Sequence, residues 1–466
     1  MRRSMKPLLL SLIAVVWVGC GPAGDRSGVD GRIVSAALGQ SRAYEKLAYL
    51  TDRIGPRLSG SEGLDRAVRW TADEFRRDGL DRVWTEPVLV PHWVRGVETS
   101  RIVSPTEHAM ATTALGMSVP TPEGGVMGEV VLVSSFEELR ALGDRVRDKI
   151  VLYNKPILPN GGERDGYGSA VGLRGSGAIE AAKLGAVATL IRSLGTASFR
   201  LPHTGAMRYD DSVTRIPAAA ISAEDADLVH RLLAAGEAVR VHLVLGCRTL
   251  PDAPSANVLA DLLGRERPEE IVLIGAHLDS WDLGTGAIDD GAGVAIVMET
   301  MRLLKSLGLT PRRTIRAVLF TNEENGLAGG RAYAGTHAND LPKHVAAIET
   351  DSGGASPMGF GVSAGEGAEE IVRSIATSLA SIGAGEVTPQ GGGADIGPMR
   401  SAGVPQLGLR QDTTHYFDYH HTAADTLDKV RPDDLARNVA AMAVMAYRLA
   451  EREEPLPRLP PPGSTP

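Results

Sequence analysis

The second half of the chain alternates short apolar runs with stretches of helical spacing. Near-continuous apolar runs lie at 271–276, 314–321, 344–350 and 405–409, which is the pattern of strands buried on both faces. Apolar residues recur at helical spacing in 293–308, 369–383 and 435–451. Strands that alternate with helices predict an α/β fold, a doubly wound mixed sheet with helices on both faces.

The first half of the chain carries two further patterns. Residues 35–80 have helical spacing around a turn, and 82–93 have the pattern of an extended segment. From 121 to 247, short strand-like runs mix with helical stretches and Gly-rich connections, and no cluster of carboxylates and histidines stands out. We therefore predict that 121–247 is a separate α/β insertion, and that 35–120 and 248–452 together form the main domain.

Both ends of the chain have the composition of segments outside a folded domain. Residues 1–20 combine a basic start with an apolar run too short to span a bilayer, as in an export signal. The small residues before Cys20 resemble a bacterial lipoprotein processing site, and the alternative is an ordinary secretory signal. Either reading predicts an exported protein, lipid-anchored at Cys20 or else periplasmic or secreted. We expect 21–34 to be a tether and the Pro-rich 453–466 to be disordered.

Composition narrows the function further. Of 466 residues, 43% are hydrophobic and 23% are charged, which is typical of a globular protein. The net charge of −8 argues against nucleic acid as a partner, because no basic surface is available to neutralise phosphates. Only two cysteines occur, so a disulfide framework is excluded.

Imidazoles and carboxylates follow the predicted strands. The residues concerned are His277, Asp279, Asp289, Asp290, Glu323, Glu324, Asp351, His420 and His421. Functional sites of such sheets form at the carboxyl ends of strands, where these residues would meet. Imidazole and carboxylate without thiolate suit zinc, and also cobalt or manganese. There are more carboxylates than one tetrahedral ion can bind. This favours two ions that share a bridging carboxylate.

The adjacent glutamates indicate a division of labour. One of Glu323 and Glu324 can bind metal while the other acts as the general base on water. Asp279, two residues after His277, is positioned to orient that imidazole. Each residue taken alone is more simply a loop residue or a helix cap, and only the joint pattern favours a metal centre.

Two other motifs compete with the metal centre. Residues 361–365 read G-x-S-x-G, which would make Ser363 the nucleophile of a serine hydrolase, but a chain with 54 glycines contains such a pentapeptide readily by chance. The glycines at 284 and 286 resemble a dinucleotide fingerprint, but Asp289 stands where its third glycine belongs. No H-E-x-x-H occurs, so a helix-borne single-zinc protease is not supported.

Four segments that contain the candidate site residues resemble the co-catalytic zinc aminopeptidase and glutamate carboxypeptidase family. They are 275–293, 321–326, 349–354 and 419–426. Segments 78–96 and 201–229, outside the candidate site, also resemble one member of that family. Taken together, the likeness covers about residues 35–450. The resemblance implies an exopeptidase with two Zn²⁺ per chain, acting on a peptide substrate. It also implies a homodimer, and a protease-associated domain at 121–247.

The resemblance assigns roles residue by residue. It implies one ion held by His277, Asp289 and Asp351, and a second held by Asp289, Glu324 and His421. Glu323 matches the general base, and His420 occupies a position whose residue stabilises the oxyanion in some relatives. Because all these positions are filled, the sequence argues against a catalytically silent, peptide-binding member of the family.

Overall fold

The computed structural model describes residues 28–159 and 165–460. Its strands, numbered in chain order, are β1 Arg82–Val94, β2 Glu98–Ser104, β3 His108–Met110, β4 Thr112–Ala114, β5 Val126–Val133, β6 Ile150–Tyr153, β7 Ala188–Arg192, β8 Ala218–Ile221, β9 Arg240–Leu245, β10 Arg248–Leu262, β11 Arg267–His277, β12 Arg313–Phe320, β13 His344–Glu349, β14 Pro357–Ser363, β15 Glu386–Pro389 and β16 Gln406–Gln411. Its α-helices are α1 Val29–Gln40, α2 Ala43–Tyr49, α3 Glu62–Arg77, α4 Phe136–Leu142, α5 Gly168–Lys183, α6 Ala223–Ala234, α7 Ala292–Ser306, α8 Ala328–Thr336, α9 Ala368–Ala376, α10 Tyr416–Tyr419 and α11 Pro432–Glu451.

Within these described residues the strands form two mixed sheets. The first has the order β1-β10-β12-β11-β13-β16-β14-β15, and its central strand β11 runs parallel to both neighbours, β12 and β13. The apolar runs predicted as buried strands are β11, β12, β13 and β16, which confirms the doubly wound α/β fold. The carboxyl ends of β11, β12 and β13 therefore meet at one edge.

Helices cover both faces of the first sheet. Successive strand residues point to opposite faces, so Val258 and Ala260 of β10 join one core while Leu259 between them joins another. The larger core packs α1, α2, α7 and α11 against the sheet, and the smaller one contains Tyr333 of α8. This alternation explains why the strands are apolar at nearly every position.

The second sheet has the order β3-β2-β9-β5-β6-β7-β8-β4 and spans residues 98–245. It begins earlier than residue 121, where the sequence placed the start of the insertion, because β2, β3 and β4 pair within it. β2 pairs with β9, more than 130 residues further along the chain. Local hydrophobic patterns carry no information on such a distant partner, so the early strands could not be assigned from the sequence.

The ends of the described chain are more ordered than their composition indicated. α1 begins at Val29, inside the expected tether. Residues 453–460 of the expected disordered tail lie against the first sheet: Leu456 is buried, and Arg458 donates hydrogen bonds to the carbonyl oxygens of His344 and Ala402. Several backbone carbonyl groups thus accept from this guanidinium the hydrogen bonds that water would otherwise donate. The export signal at 1–20 and Cys20 lie outside the described residues. Among the described residues, no helix is long and apolar enough to cross a membrane.

Candidate metal centre

The predicted site residues come together at the carboxyl edge of the first sheet. His277 is the last residue of β11, Glu323 and Glu324 follow β12, and Asp351 follows β13. Parallel neighbouring strands end at the same edge, which is why residues more than 70 positions apart in the chain share one site. Asp289 arrives from the turn before α7, and His421 from the segment after α10.

Asp289 lies between two histidines. Its Oδ1 is 3.2 Å from His277 Nε2, and its Oδ2 is 3.2 Å from His421 Nε2. Asp351 Oδ1 lies 3.4 Å from His277 Nε2 on one side, and Glu324 Oε2 lies 3.0 Å from His421 Nε2 on the other. One carboxylate therefore joins two clusters, each of which contains one imidazole and one further carboxylate.

These distances fit metal coordination. Zinc–nitrogen and zinc–oxygen bonds of 2.0–2.1 Å at a tetrahedral angle separate two ligand atoms by about 3.3 Å. His277 Nε2 and Asp289 Oδ2 are buried and have no hydrogen-bond partner among the described residues, as expected of atoms that face an ion. Ligand atoms of Asp289, His420 and His421 lie within 4.8 Å of one another, as do those of His277, Asp290 and Asp351. The donor set fits two ions of the zinc type.

Asp290 differs from its neighbour Asp289. Its carboxylate oxygens accept hydrogen bonds from the backbone N–H groups of His277, at 3.2 Å, and Gly293, at 3.0 Å. Those bonds tie the end of β11 to the start of α7. Asp290 thus braces the backbone that carries the ligands, and Asp289 is the one that faces both histidines.

Asp279 fixes the two glutamates through their backbone. Its Oδ1 accepts a hydrogen bond from the Glu323 N–H at 3.0 Å, and its Oδ2 accepts one from the Glu324 N–H at 3.3 Å. The His277 ring contacts the backbone: Nδ1 is 3.1 Å from the Asp279 carbonyl oxygen and 3.8 Å from its carboxylate. The orienting contact to His277 therefore comes from the main chain of Asp279, while its carboxylate positions the loop with Glu323 and Glu324.

Glu323 and Glu324 have different surroundings. Glu324 Oε1 accepts a hydrogen bond from the Trp281 N–H at 3.2 Å, and Oε2 faces His421. The side chain of Glu323 makes no hydrogen bond with the described residues and is partly exposed. A carboxylate held free beside the cluster is what a general base requires.

The closely spaced acidic groups shift the pKa values of the residues in the site. Burial and the neighbouring carboxylates of Asp351 and Glu324 raise the pKa of Glu323 well above its ordinary value, and burial with Asp289 raises the pKa of Glu324 to about 7. Burial opposes protonation of His277, but Asp351 and Asp289 raise its pKa well above normal. So many buried carboxylates call for cationic compensation, which bound metal ions provide.

His420 stacks on His421, with ring centroids 3.5 Å apart, and its Nε2 lies 3.5 Å from Asp289 Oδ2. Burial and the charge of His421 lower the pKa of His420 well below its usual range. Its Nδ1 is buried and has no partner among the described residues. His420 therefore lines the centre beside Asp289 and His421.

Several supporting residues escaped the sequence analysis. Arg57 is fully buried and donates hydrogen bonds to the carbonyl oxygens of Leu278, Thr285 and Gly286, which fixes the loop between His277 and Asp289. Asp425 Oδ1 accepts from the N–H groups of Ala287 and Ile288 in the same loop. Both act on backbone more than 130 residues away, and no local motif marks such contacts.

The two competing motifs have structural explanations. Ser363 Oγ accepts a hydrogen bond from the Gly391 N–H, and the histidine that would serve it, His421, faces Glu324 and Asp289 instead. A side chain at Gly284 would collide with the carbonyl oxygens of Thr422 and Asp425, at 2.7 and 2.6 Å from its Cβ. The glycine permits this close approach of two backbone segments at the metal centre, which is a sufficient reason for its presence.

Comparison with known proteins shows which family the chain belongs to. The model of peptidase family M28 matches residues 257–446. Carboxypeptidase Q from Mus musculus is 41% identical over 419 residues, covering 90% of this chain and 88% of the mouse protein. Carboxypeptidase Q from Homo sapiens is 40% identical over 419 residues, covering 90% of this chain and 87% of the human protein. It is also the family member that segments 78–96 and 201–229 resemble.

Solved structures share the fold. The crystal structure of a peptidase M28 precursor from Shewanella amazonensis has a TM-score of 0.89 and 41% identity, covering 93% of this chain and 98% of that chain. A zinc aminopeptidase from Bacillus subtilis has a TM-score of 0.66 and 20% identity, covering 89% of this chain and 95% of that chain, and shares the fold. Since relatives 40–41% identical match nine-tenths of its length, the chain is a metallopeptidase that belongs to peptidase family M28.

Proposed function

We propose that the protein is a zinc-dependent exopeptidase that hydrolyses unblocked dipeptides or short peptides with two Zn²⁺ per chain. The observation that carries the proposal is the position of Asp289, whose two oxygens each lie 3.2 Å from the Nε2 of a different histidine. A single carboxylate between two imidazole–carboxylate clusters is the arrangement that a shared bridging ligand requires.

The remaining ligands follow from the same distances. His277 and Asp351 complete the first set around Asp289, and Glu324 and His421 complete the second. Zinc ions bound there supply Lewis acidity, which polarises the scissile carbonyl and lowers the pKa of water. The supporting observation is the agreement of all four separations, 3.0–3.4 Å, with the spacing of ligands around one ion.

In the reaction that we propose, Glu323 accepts the proton of the attacking water and delivers it to the leaving amine. Its side chain is free of hydrogen bonds among the described residues, so that it can turn between the two partners. The Asp279 carboxylate holds the Glu323 backbone, through a 3.0 Å hydrogen bond from its N–H group. The imidazole of His420 lines the site beside Asp289, where a ring N–H can donate a hydrogen bond to the developing oxyanion.

The wider organisation is also a proposal. We take the second sheet to be the protease-associated domain of this protein, and the chain to be exported, with a lipid anchor at Cys20. A homodimer remains a prediction from the family resemblance. Light scattering of the purified protein measures the oligomeric state, and labelling of cells with a radioactive fatty acid tests Cys20 against Cys20→Ser.

The first experiment measures hydrolysis of a panel of unblocked dipeptides by residues 21–466, before treatment, after a chelator and after zinc is restored. We expect activity to disappear with the chelator and return with zinc. Chelator-resistant activity that a serine-directed inhibitor blocks would contradict the proposal and make Ser363 the nucleophile. Stoichiometric zinc without hydrolysis of any peptide would contradict the catalytic role and favour a binding function.

A further inference from the structure

The second sheet supplies one wall of the metal centre. The N–H of Thr204 donates a hydrogen bond to the His421 carbonyl oxygen at 3.0 Å, and Nδ1 of His421 lies 3.4 Å from the Thr204 carbonyl oxygen. Thr204 is anchored in turn to the second sheet through a 3.0 Å hydrogen bond to the carbonyl oxygen of Ala114. The segment around Thr204 therefore connects the second sheet directly to the metal centre.

Arg174 of α5 is a buried cation of this wall without an acidic partner in the described part of the chain. It is 8% exposed, and no carboxylate lies within 4 Å of its guanidinium among residues 28–159 and 165–460. Nη1 donates one hydrogen bond, to the Thr204 carbonyl oxygen at 3.3 Å, and Nε is buried without a partner in the described part of the chain. A buried guanidinium with free donors is costly unless an anion binds to it.

The guanidinium lies beside an aromatic ring that contacts the metal centre. Its carbon is 5.4 Å from the centroid of the Tyr167 ring, and that ring is 5.2 Å from His420. His420 in turn lies beside Asp289. The carboxylate of a residue that follows the scissile bond lies about 4 Å from the reacting carbonyl carbon, and a charge-assisted hydrogen bond adds about 2.8 Å. Arg174 Nη1 is 3.3 Å from the Thr204 carbonyl oxygen, and that oxygen is 3.4 Å from His421 Nδ1, so the guanidinium lies within about 7 Å of the His421 ring, a distance comparable with this reach.

Gly205 allows the backbone to pack closely against the guanidinium. Its φ is 135°, a conformation that side chains disfavour, and a Cβ there would come within 2.3 Å of Arg174 Nη1. The glycine lets the guanidinium lie flat against the backbone of the wall. Its planar fork of donors suits a carboxylate, which it can bind through two parallel hydrogen bonds.

We propose that Arg174 binds the free C-terminal carboxylate of the substrate, so that the enzyme selects peptides with a single residue beyond the scissile bond. This inference rests on the proposed peptidase function and adds the residue that would recognise the C-terminal end of the substrate. The second sheet then contributes specificity, while the first sheet contributes the metals and Glu323.

The test compares Ala-Leu with Ala-Leu amide, which lacks only the terminal charge. For the zinc-loaded wild-type enzyme we expect kcat/KM to be about 10- to 100-fold higher for the free acid, because hydrogen bonds between charged groups contribute that much. Arg174→Gln should lower kcat/KM for the free acid by the same factor, mainly through KM, and change the amide less than threefold. Arg174→Lys keeps the charge without the fork and should fall between them.

A matched control and a binding readout support the comparison. Arg208→Gln makes the same change on the exposed surface of the second sheet and should leave both substrates unaffected. Inhibition of the wild-type enzyme by leucine, but not by leucine amide, should weaken by the same 10- to 100-fold in Arg174→Gln. Zinc content and melting temperature identify a variant that fails to fold, and in that case the wild-type preference and Arg174→Lys decide.

The outcomes separate the two proposals. If the wild-type enzyme cleaves acid and amide equally well, or Arg174→Gln slows both alike while still folded and zinc-loaded, Arg174 does not bind the carboxylate. If the zinc-loaded wild-type enzyme cleaves neither compound nor any other peptide of the panel, the peptidase function itself fails.

Discussion

Replacing Glu323 with Gln tests the proposed general base with little disturbance of the fold. The two side chains have almost the same size and shape, and the Glu323 carboxylate makes no hydrogen bond among the described residues that the change would break. The backbone of residue 323 remains held by Asp279. Nearby Asp351 and Glu324 repel the charge of Glu323, which raises its pKa, so that a neutral amide relieves repulsion.

The expected loss follows from the function that disappears. An amide cannot accept the proton of the attacking water, and general base catalysis contributes a factor of about 10² to 10⁴. That factor corresponds to about 2.7–5.4 kcal/mol of activation free energy. We therefore expect kcat for Ala-Leu to fall at least about 100-fold in Glu323→Gln, with two zinc ions per chain retained and an unchanged or slightly higher melting temperature.

The assay measures leucine release together with zinc by mass spectrometry on the same sample. Glu366→Gln makes the identical chemical change on an exposed loop and should keep full activity. Normal turnover in Glu323→Gln would refute the assignment of the base. Loss of zinc from that variant would refute it differently, since Glu323 would then be a ligand.

Three further variants probe the ligands and the support of the site. Asp289→Ala should lose zinc and activity together, because both clusters share that carboxylate; full occupancy by two ions would disprove the bridge. Asp279→Asn turns an amide donor toward one of two backbone N–H groups and should lower kcat/KM by about 10- to 100-fold, with melting temperature as the control. Asp225→Ala removes the acceptor of the 2.7 Å Ala111 N–H bond and should cost about 2–4 kcal/mol of unfolding free energy at pH 7. Hydrogen bonds lower the pKa of Asp225 despite its burial, so its contribution is complete above about pH 4 and should vanish as the pH falls through that lowered value in urea titrations.

Local pattern was sufficient for the elements of the first sheet. The apolar runs at 271–276, 314–321 and 344–350 became strands because their side chains are buried on both faces. The polar residues that follow such runs lie at the ends of the strands. Parallel neighbouring strands end at the same edge of the sheet, so these residues lie close together there. This is why His277 and Asp351 could be predicted to meet before any distance was known.

The pairing of segments that are distant in sequence could not be predicted from local pattern. The strands at 98–114 joined the second sheet, and 453–460 packed on the first, since their partners are far away in sequence. Composition alone indicated a loose tail, but Arg458 finds several backbone carbonyls there that need a donor. Short strands and tails gain their stability from such contacts, which the local sequence does not encode.

By itself, the sequence determined the α/β class and the candidate residues of the metal centre, because strand periodicity and ligand type are local properties, while the assignment of those residues to two ions came from the family resemblance. The tertiary structure decided how those residues are held and what else reaches them. Arg57 braces a loop 221 residues away, and Thr204 contacts His421 across 217 residues. Such contacts depend on how two sheets pack together, and they bring Arg174 close to His421 although nothing in the spacing of the chain indicates it.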